Sequence, residues 1–448
     1  MFFRKLFPAF LLFLLLFSCK KEPIIPVPET FVPPAVEDIV MYEINLRAFS
    51  QAGNFQGIIA RMDTLKALGI NTIWLMPIHP VGQVNSVGQL GSPYSVQNYR
   101  EVNPEFGTLD DFLALVEAAH QREIAVVIDW VANHTAWDNP WIQENPDWYT
   151  QDGDGNIVHP PGTNWMDVAD LNYNKADMRL AMIDAMKYWV TETGVDGFRC
   201  DAADMVPYSF WKQAIDSLHS IPDRRLILLA EGNRSDHFTA GFQMNYGWDF
   251  YTRLKAIFAG ANTAETIFSA QASELNSLPE GAKKLRFTTN HDETAWDKTP
   301  IQLFGGKQGA LAASVITMYI GGVPLLYNGQ EVGLDVNLPF FSRYPIDWTL
   351  NPDMAATYRK LTGLYNEQKA LRKGMLTTYP AADIVAFKRS LGNQEVLVLV
   401  NVRNMEKTLS VDPLLIGSQW TDVLDNSPVS LPETLDFQPY EFRILTPS

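Results

Sequence analysis

A chain of 448 residues is longer than one hydrophobic core usually grows, so a large domain with a smaller companion is expected. Hydrophobic residues make up 46% and charged residues 19%, which excludes a disordered or low-complexity chain. The formal net charge of -16 works against phosphate backbones and anionic lipid surfaces, leaving a neutral or cationic partner and no nucleic acid.

Arg4 and Lys5 precede an apolar run over 6–17 that is too short to span a bilayer as a mature helix and has the layout of a secretion signal. The run meets Leu16-Phe17-Ser18-Cys19, which resembles a bacterial lipobox. Residues 1–19 are therefore expected to be a leader and Cys19 a lipid anchor to the membrane. The protein is then an exported bacterial lipoprotein of the outer membrane, periplasm or cell surface, with a soluble secreted form as the alternative. Residues 20–35, rich in Pro and Glu, read as a spacer. Cys200 is left without a partner, so no disulfide framework is expected, and a buried strand thiol accounts for it better than a catalytic one.

From there, short β-like runs alternate with segments of helical period, the pattern of an α/β fold with a parallel sheet. Eight such runs are expected at 40–49, 72–78, 124–130, 195–201, 226–231, 242–246, 285–290 and 323–327, the sixth being the weakest signal. Between the first two, Ile58, Met62, Leu65 and Leu68 recur at helical spacing before Gly69. Thr108 with Asp111 three residues on predicts a capped helix start, and Met178, Met182, Ala185 and Trp189 mark the core stripe of a later helix. Eight alternations predict a closed (β/α)8 TIM barrel over 36–372, with reactive groups at the carboxyl ends of its strands. The segment 134–172 is too long for an ordinary connection and is expected to be a small inserted domain after the third strand. Beyond 373 the helical period gives way to short alternating strands, including 384–389 and 395–402, so 373–448 reads as a C-terminal antiparallel β-sandwich.

Polar residues cluster at the ends of the proposed barrel strands: Asp129 to His134, Arg199-Cys200-Asp201, Ala230-Glu231 and Asn290-His291-Asp292. A buried strand that ends in a carboxylate is unfavourable unless the charge is paired or used. Taken singly, Asp129 or Asp292 reads equally well as a helix cap. Together, three carboxylates and an Arg two residues before one of them supply what cleavage of a glycosidic bond requires: a carboxylate held ionised and a carboxyl held protonated.

The segments IDWVANH, GFRCDAAD, LLAEGN and FTTNHDE, in that order, resemble the four conserved segments of the alpha-amylase family of glycoside hydrolases. Thr72 to Ile78, Val168 to Asn172, Gly322 to Glu331 and the stretch SPYSVQNYREVNPEFGT resemble further segments of that family. The resemblance implies a retaining hydrolase of α-glucosidic bonds acting on an α-glucan or maltooligosaccharide. It makes Asp201 the nucleophile, Glu231 the acid/base and Asp292 the transition-state stabiliser, with His134 and His291 contacting the same sugar, Tyr94 stacking beneath it and Arg199 fixing the nucleophile. Asp129 then has a structural role. No cofactor is required, but Asn133 and Asp170 match positions that ligate a structural calcium in some members. The chain departs from the family at Asp204-Met205, where many members carry Lys-His. Asp204, Trp165 and Trp296 are candidates for the acceptor side, where a transglycosylase would bind a sugar hydroxyl instead of water. A starch-binding protein without catalysis is the reading from another class, and it predicts loss of one of the three carboxylates. The loop Asp152-Gly153-Asp154-Gly155-Asn156 is read as a polar turn rather than a calcium loop.

Overall fold

The computed structural model describes residues 31–276 and 278–448. The leader, Cys19 and the spacer up to residue 30 lie outside the described residues. Among these, no helix is long and apolar enough to cross a membrane.

Eight parallel strands close into a barrel in the order Met41–Ile44, Thr72–Leu75, Ala125–Val131, Gly197–Asp201, Ile227–Ala230, Met244–Tyr246, Lys283–Arg286 and Val323–Tyr327, the last pairing with the first. Helices cover the outside and the barrel interior is filled by side chains, so strands such as Ala125–Val131 are buried along their whole length and read as continuous apolar runs. All eight expected strands are barrel strands, with two shifts. The first stops at Ile44, because the Asn45 side chain accepts from the Arg47 backbone N–H at 3.0 Å and starts a helical turn, Leu46–Phe49. The seventh is Lys283–Arg286 rather than 285–290, and its charged residues are paired inside the fold. Arg286 bonds Glu274 and Gln271, and the Lys284 ammonium lies 3.3 Å from Asn233 Oδ1.

The first expected helix is two, Phe55–Ile59 and Met62–Ala67, although Ile58, Met62, Leu65 and Leu68 are all buried. The capping box forms as its residues dictate: Thr108 Oγ1 accepts from Asp111 N at 3.2 Å and Asp111 accepts from Thr108 N at 2.9 Å. The stripe of Met178, Met182, Ala185 and Trp189 is core. The excursion after the third strand leaves along His134–Ala136 and returns antiparallel along Val168–Asp170, which ties both its ends to the barrel mouth. Within it, Asp152 accepts from the backbone of Asp154 and Asn156, both at 2.9 Å, as a polar turn.

The C-terminal part is a six-stranded antiparallel sheet whose centre is Ile384–Leu391, Gln394–Asn401 and Phe442–Pro447, faced by the two-stranded ribbon Lys407–Ser410 with Thr434–Phe437. Period-two alternation sends its side chains to two different cores. Ile384, Ala386, Leu397, Leu399 and Leu445 meet Leu409 and Phe437 of the ribbon. Val385, Phe387, Val396, Val398, Val400 and Ile444 join the barrel core.

Gly197, which opens the fourth strand, marks a close backbone approach between barrel strands. Its φ is +155°, and a Cβ there would stand 1.8 Å from the carbonyl oxygen of Ile227 on the next strand. Gly197→Ala is expected to destabilise the fold by about 3 kcal/mol or more, because backbone rather than a flexible side chain must yield. The measurement is the melting temperature, and an unchanged value would contradict the strand spacing described.

Candidate active site

The barrel register brings the acidic residues together. Cys200 pairs with Ala230, so Asp201 and Glu231 follow side by side on neighbouring strands, which lie about 4.8 Å apart. Asp129 and Asp201 belong to the adjacent third and fourth strands, with Asp129 opposite Arg199.

The fully buried Arg199 guanidinium joins them. Its Nη1 donates to Asp201 Oδ1 at 2.8 Å and to Asp129 Oδ1 at 2.9 Å, while Nε donates to Tyr246 Oη at 3.2 Å. Nη2 lies 2.8 Å from Glu231 Oε1 as an ion pair, without the alignment of a hydrogen bond. The second oxygen of Glu231 accepts from the Ala202 backbone N–H at 2.6 Å. That amide faces Glu231 because Ala202 sits in the left-handed region, φ +42°, at the turn that ends the fourth strand. Such a conformation is strained for a residue with a Cβ and is concentrated at functional sites.

A second chain of contacts leads away from Arg199. Asp129 Oδ2 accepts from Trp74 Nε1 at 3.1 Å and from Tyr94 Oη at 2.9 Å. Tyr94 Oη is also 2.7 Å from His291 Nε2, and the two rings stack at 17°. His291 Nε2 lies 3.2 Å from Asp292 Oδ2, and His291 Nδ1 bonds Glu43 on the first strand.

These surroundings separate the carboxyl groups. Burial raises Asp201 against the pull of Arg199, to about 6, and raises Asp129 to about 6. Glu231 is pushed higher, to about 7, by burial and by the nearby charges of Asp201 and Asp292, with Arg199 opposing. Burial also pushes Asp292 up, but His291 outweighs it and holds that carboxyl below its ordinary range. His134 is buried without a counter-charge and drops to about 4, so its ring is neutral. Groups whose environments drive their proton affinities apart are what acid/base chemistry uses.

Tyr94, His134, Asp201, Glu231, His291 and Asp292 line one cleft of about 540 Å³ at the carboxyl ends of the strands, with Asp129 buried below it. Arg199 lies beneath it. Trp165 comes from the inserted excursion and Trp296 from the seventh connection, and both form part of the wall with Phe340 and Phe341. The aromatic rim gives flat apolar faces beside a polar floor. Asp204 is not in that wall. It accepts from the backbone of Asn233 at 3.0 Å and Arg234 at 3.2 Å, stitching the turn after Asp201 to the turn after Glu231. Asn133 and Asp170 sit on joined segments, and the Asp170 carboxyl is raised by burial. They supply one amide and one carboxylate, short of the six to eight oxygens that calcium takes. Among the described residues, no group of three His, Cys, Asp or Glu is placed to hold a metal.

Sequence reasoning missed Glu43, Trp74 and Tyr246. The signal for Glu43 was present, a single carboxylate inside the run Val40-Met41-Tyr42-Glu43-Ile44.

A model of the alpha-amylase catalytic domain matches residues 38–375. Alpha-amylase MalA of Haloarcula japonica is 28% identical over 410 residues, spanning 88% of this chain and 59% of that protein's own length. Trehalose synthase/amylase TreS of Mycobacterium tuberculosis is 27% identical over 419 residues, spanning 73% of this chain and 68% of that protein. Among solved structures, the noncanonic maltogenic alpha-amylase AmyB from Thermotoga neapolitana superposes with a TM-score of 0.83 at 28% identity, covering 92% of this chain and 99% of the other.

The ion cluster makes a prediction about stability. Arg199→Met leaves three buried carboxyls without their shared cation, a loss of about 3–5 kcal/mol when they are ionised. Their affinities for protons then rise further in the folded state, so the missing stability is largest at alkaline pH and partly returns as the pH falls and they protonate. Melting curves at about pH 8 and pH 5 are expected to show the larger deficit at pH 8; a deficit independent of pH would contradict the assignment.

Proposed function

The chain belongs to the alpha-amylase family of glycoside hydrolases, and from that premise we propose that it cleaves α-glucosidic bonds, in the main α-1,4 bonds of starch-like glucans or maltooligosaccharides, with retention. The observation that carries the proposal is the pair Asp201 and Glu231 on one guanidinium at adjacent strand ends. Retaining enzymes hold their two carboxyls about 5–5.5 Å apart, close to the spacing of neighbouring strands.

In the first step Glu231, protonated, donates to the glycosidic oxygen while the Asp201 carboxylate attacks the anomeric carbon and the glycosidic bond breaks. A covalent β-glucosyl ester forms and the leaving chain departs with the proton. In the second step the Glu231 carboxylate takes a proton from water, whose oxygen attacks the same carbon and releases Asp201. Asp292, kept ionised by His291, bonds ring hydroxyls and steadies the oxocarbenium-like charge; Tyr94 stacks under the ring and His134 and His291 contact it. The steps use only carboxyl groups of this chain and require no cofactor, while Asn133 and Asp170 offer a structural calcium two oxygens.

The similarity to a trehalose synthase/amylase favours a second reading within the family, transfer of the glucosyl group to a sugar hydroxyl. Trp165 and Trp296 at the rim suit an acceptor ring. Incubation with maltooligosaccharides of graded length, followed by chromatography, separates the readings: shorter products alone mean hydrolysis, longer products beside shorter ones or an isomer of equal length mean transfer, and an unaltered substrate sinks the enzyme assignment. Asp201→Asn and Glu231→Gln are each expected to lower kcat by roughly 10⁴-fold or more with the fold intact, since each removes a covalent or proton-transfer role. Near-normal turnover in either variant contradicts the roles given.

The pH dependence follows from the same pair. Below about 6 Asp201 takes up a proton and cannot attack, and above about 7 Glu231 loses the proton it must donate. The profile of kcat/KM is therefore expected to be a narrow bell with its maximum between those values. A plateau extending to about pH 9 would contradict it.

A further inference from the structure

Glu43 has no part in the steps above, yet it is a fully buried carboxylate in an apolar strand, and such a charge is kept only if something uses it. Its Oε1 faces His291 Nδ1 and lies 3.4 Å from the His291 backbone N–H. The other oxygen, Oε2, has no partner among the described residues.

Counting protons fixes the hydrogen on His291 Nε2. Asp129 accepts from Arg199, Trp74 and Tyr94, so the single phenolic hydrogen of Tyr94 is directed at Asp129. Tyr94 Oη has then only a lone pair to offer His291 Nε2, 2.7 Å away, and the nitrogen must carry the hydrogen. Asp292 Oδ2, 3.2 Å from the same nitrogen, is likewise an acceptor. On the other side of the ring Nδ1 faces Glu43. With Glu43 ionised, which His291 and Arg199 favour against burial, a proton on each nitrogen satisfies every contact.

We propose that Glu43 is a positioning residue that holds His291 doubly protonated and fixes its ring, so that the third carboxylate, Asp292, faces the cleft beside a permanent cation. The inference rests on the proposed glycosidase reading and adds to it a residue of the first strand. The charges around His291 agree. Burial opposes its charge, but Asp292 and Glu43 outweigh burial and hold the imidazolium well above its usual range. Asp129 and Arg199 are the other charged groups that face the pair, from the third and fourth strands. Tyr246 and Tyr327, from the sixth and eighth, are kept neutral by burial. Trp74 and Phe340 close the remaining sides with aromatic rings.

The consequence is electrostatic. Asp292 stays ionised because His291 stays charged, and His291 is held charged by Asp292 itself and, from its far side, by Glu43. With Glu43→Gln, Nδ1 still has a hydrogen-bond partner, but Asp292 alone then supports the imidazolium, so His291 loses its second proton at lower pH than in the unaltered protein.

The test is imidazole nitrogen NMR on histidine-labelled full-length protein near neutral pH, with the signal identified by its loss in His291→Gln. Protons on both nitrogens of His291 are expected, and an unprotonated Nδ1 overturns the proposal. This spectrum requires no Glu43 variant, so failure of one to fold leaves the test intact. In turnover of maltooligosaccharides, Glu43→Gln is expected to lower kcat roughly 10- to 100-fold, one step below the 10²–10³ lost when a donor to the reacting group is itself removed. KM should change less than about threefold, and the alkaline limb of kcat should move to lower pH. Glu43→Asp, which retains the charge, should recover the alkaline limb in part. Unchanged kcat and an unmoved limb in a folded Glu43→Gln protein overturn the proposal. A wild-type protein with doubly protonated His291 that neither cleaves nor transfers α-glucans overturns the glycosidase reading and leaves the Glu43 assignment standing.

Discussion

Three carboxyl groups converge on one guanidinium, and the rest of the site is arranged around that meeting. A single buried cation cannot neutralise Asp129, Asp201 and Glu231 at once. Removing them from water would be prohibitive if all three were ionised without it. One proton must therefore be shared among the carboxyls, and the geometry decides where it rests. Asp129 and Asp201 share Nη1 in aligned hydrogen bonds, whereas Glu231 faces Nη2 off-axis and is left with the highest proton affinity. Charge shortage thus gives like residues unequal proton affinities, the difference on which the proposed acid and nucleophile rest. Trp74, Tyr94 and Tyr246 place their rings within 6 Å of the guanidinium carbon, at 4.9, 5.8 and 5.8 Å, which excludes water and offers the cation π faces.

The barrel makes this convergence independent of sequence distance. Residues at or after the ends of the second, third, fourth, fifth, seventh and eighth strands reach one cleft because parallel strands present all their carboxyl ends at the same face. Strand register sets the neighbours, and the turns set the aim, as at Ala202, where a left-handed residue directs an amide at Glu231. Rigid strands carry the charged groups, while the rim that meets substrate comes from the longer connections.

Much of this was legible in the chain. Short apolar runs alternating with helical segments located the eight strands, the seventh only in part, and the four runs that end in polar clusters marked residues of the cleft floor. What escaped had a physical cause. The strand Lys283–Arg286 carries three charged residues, and their partners Glu274, Gln271 and Asn233 lie outside any local window. Glu43 stands out as a lone carboxylate in an apolar run, but its partner is 248 residues away, so nothing nearby in sequence shows what it serves. Asp204 was expected at the acceptor side because of its position after the nucleophile. Its carboxylate instead caps two backbone amides across the turn, a choice between solvent and neighbouring amides that spacing alone does not make.

The alternation in the C-terminal sheet bears on how the molecule is inherited. A sheet with one dry face and one wet face can be exchanged between proteins as a cassette. Here both faces of the central strands are dry, one against its own ribbon and the other against the barrel. Removing it would expose Val385, Phe387, Val398 and Ile444 together with the barrel surface they cover, so the two parts are expected to melt in one transition. Recombination that separates them would have to replace both halves of that seam at once, which binds the evolutionary fate of the tail to that of the catalytic barrel.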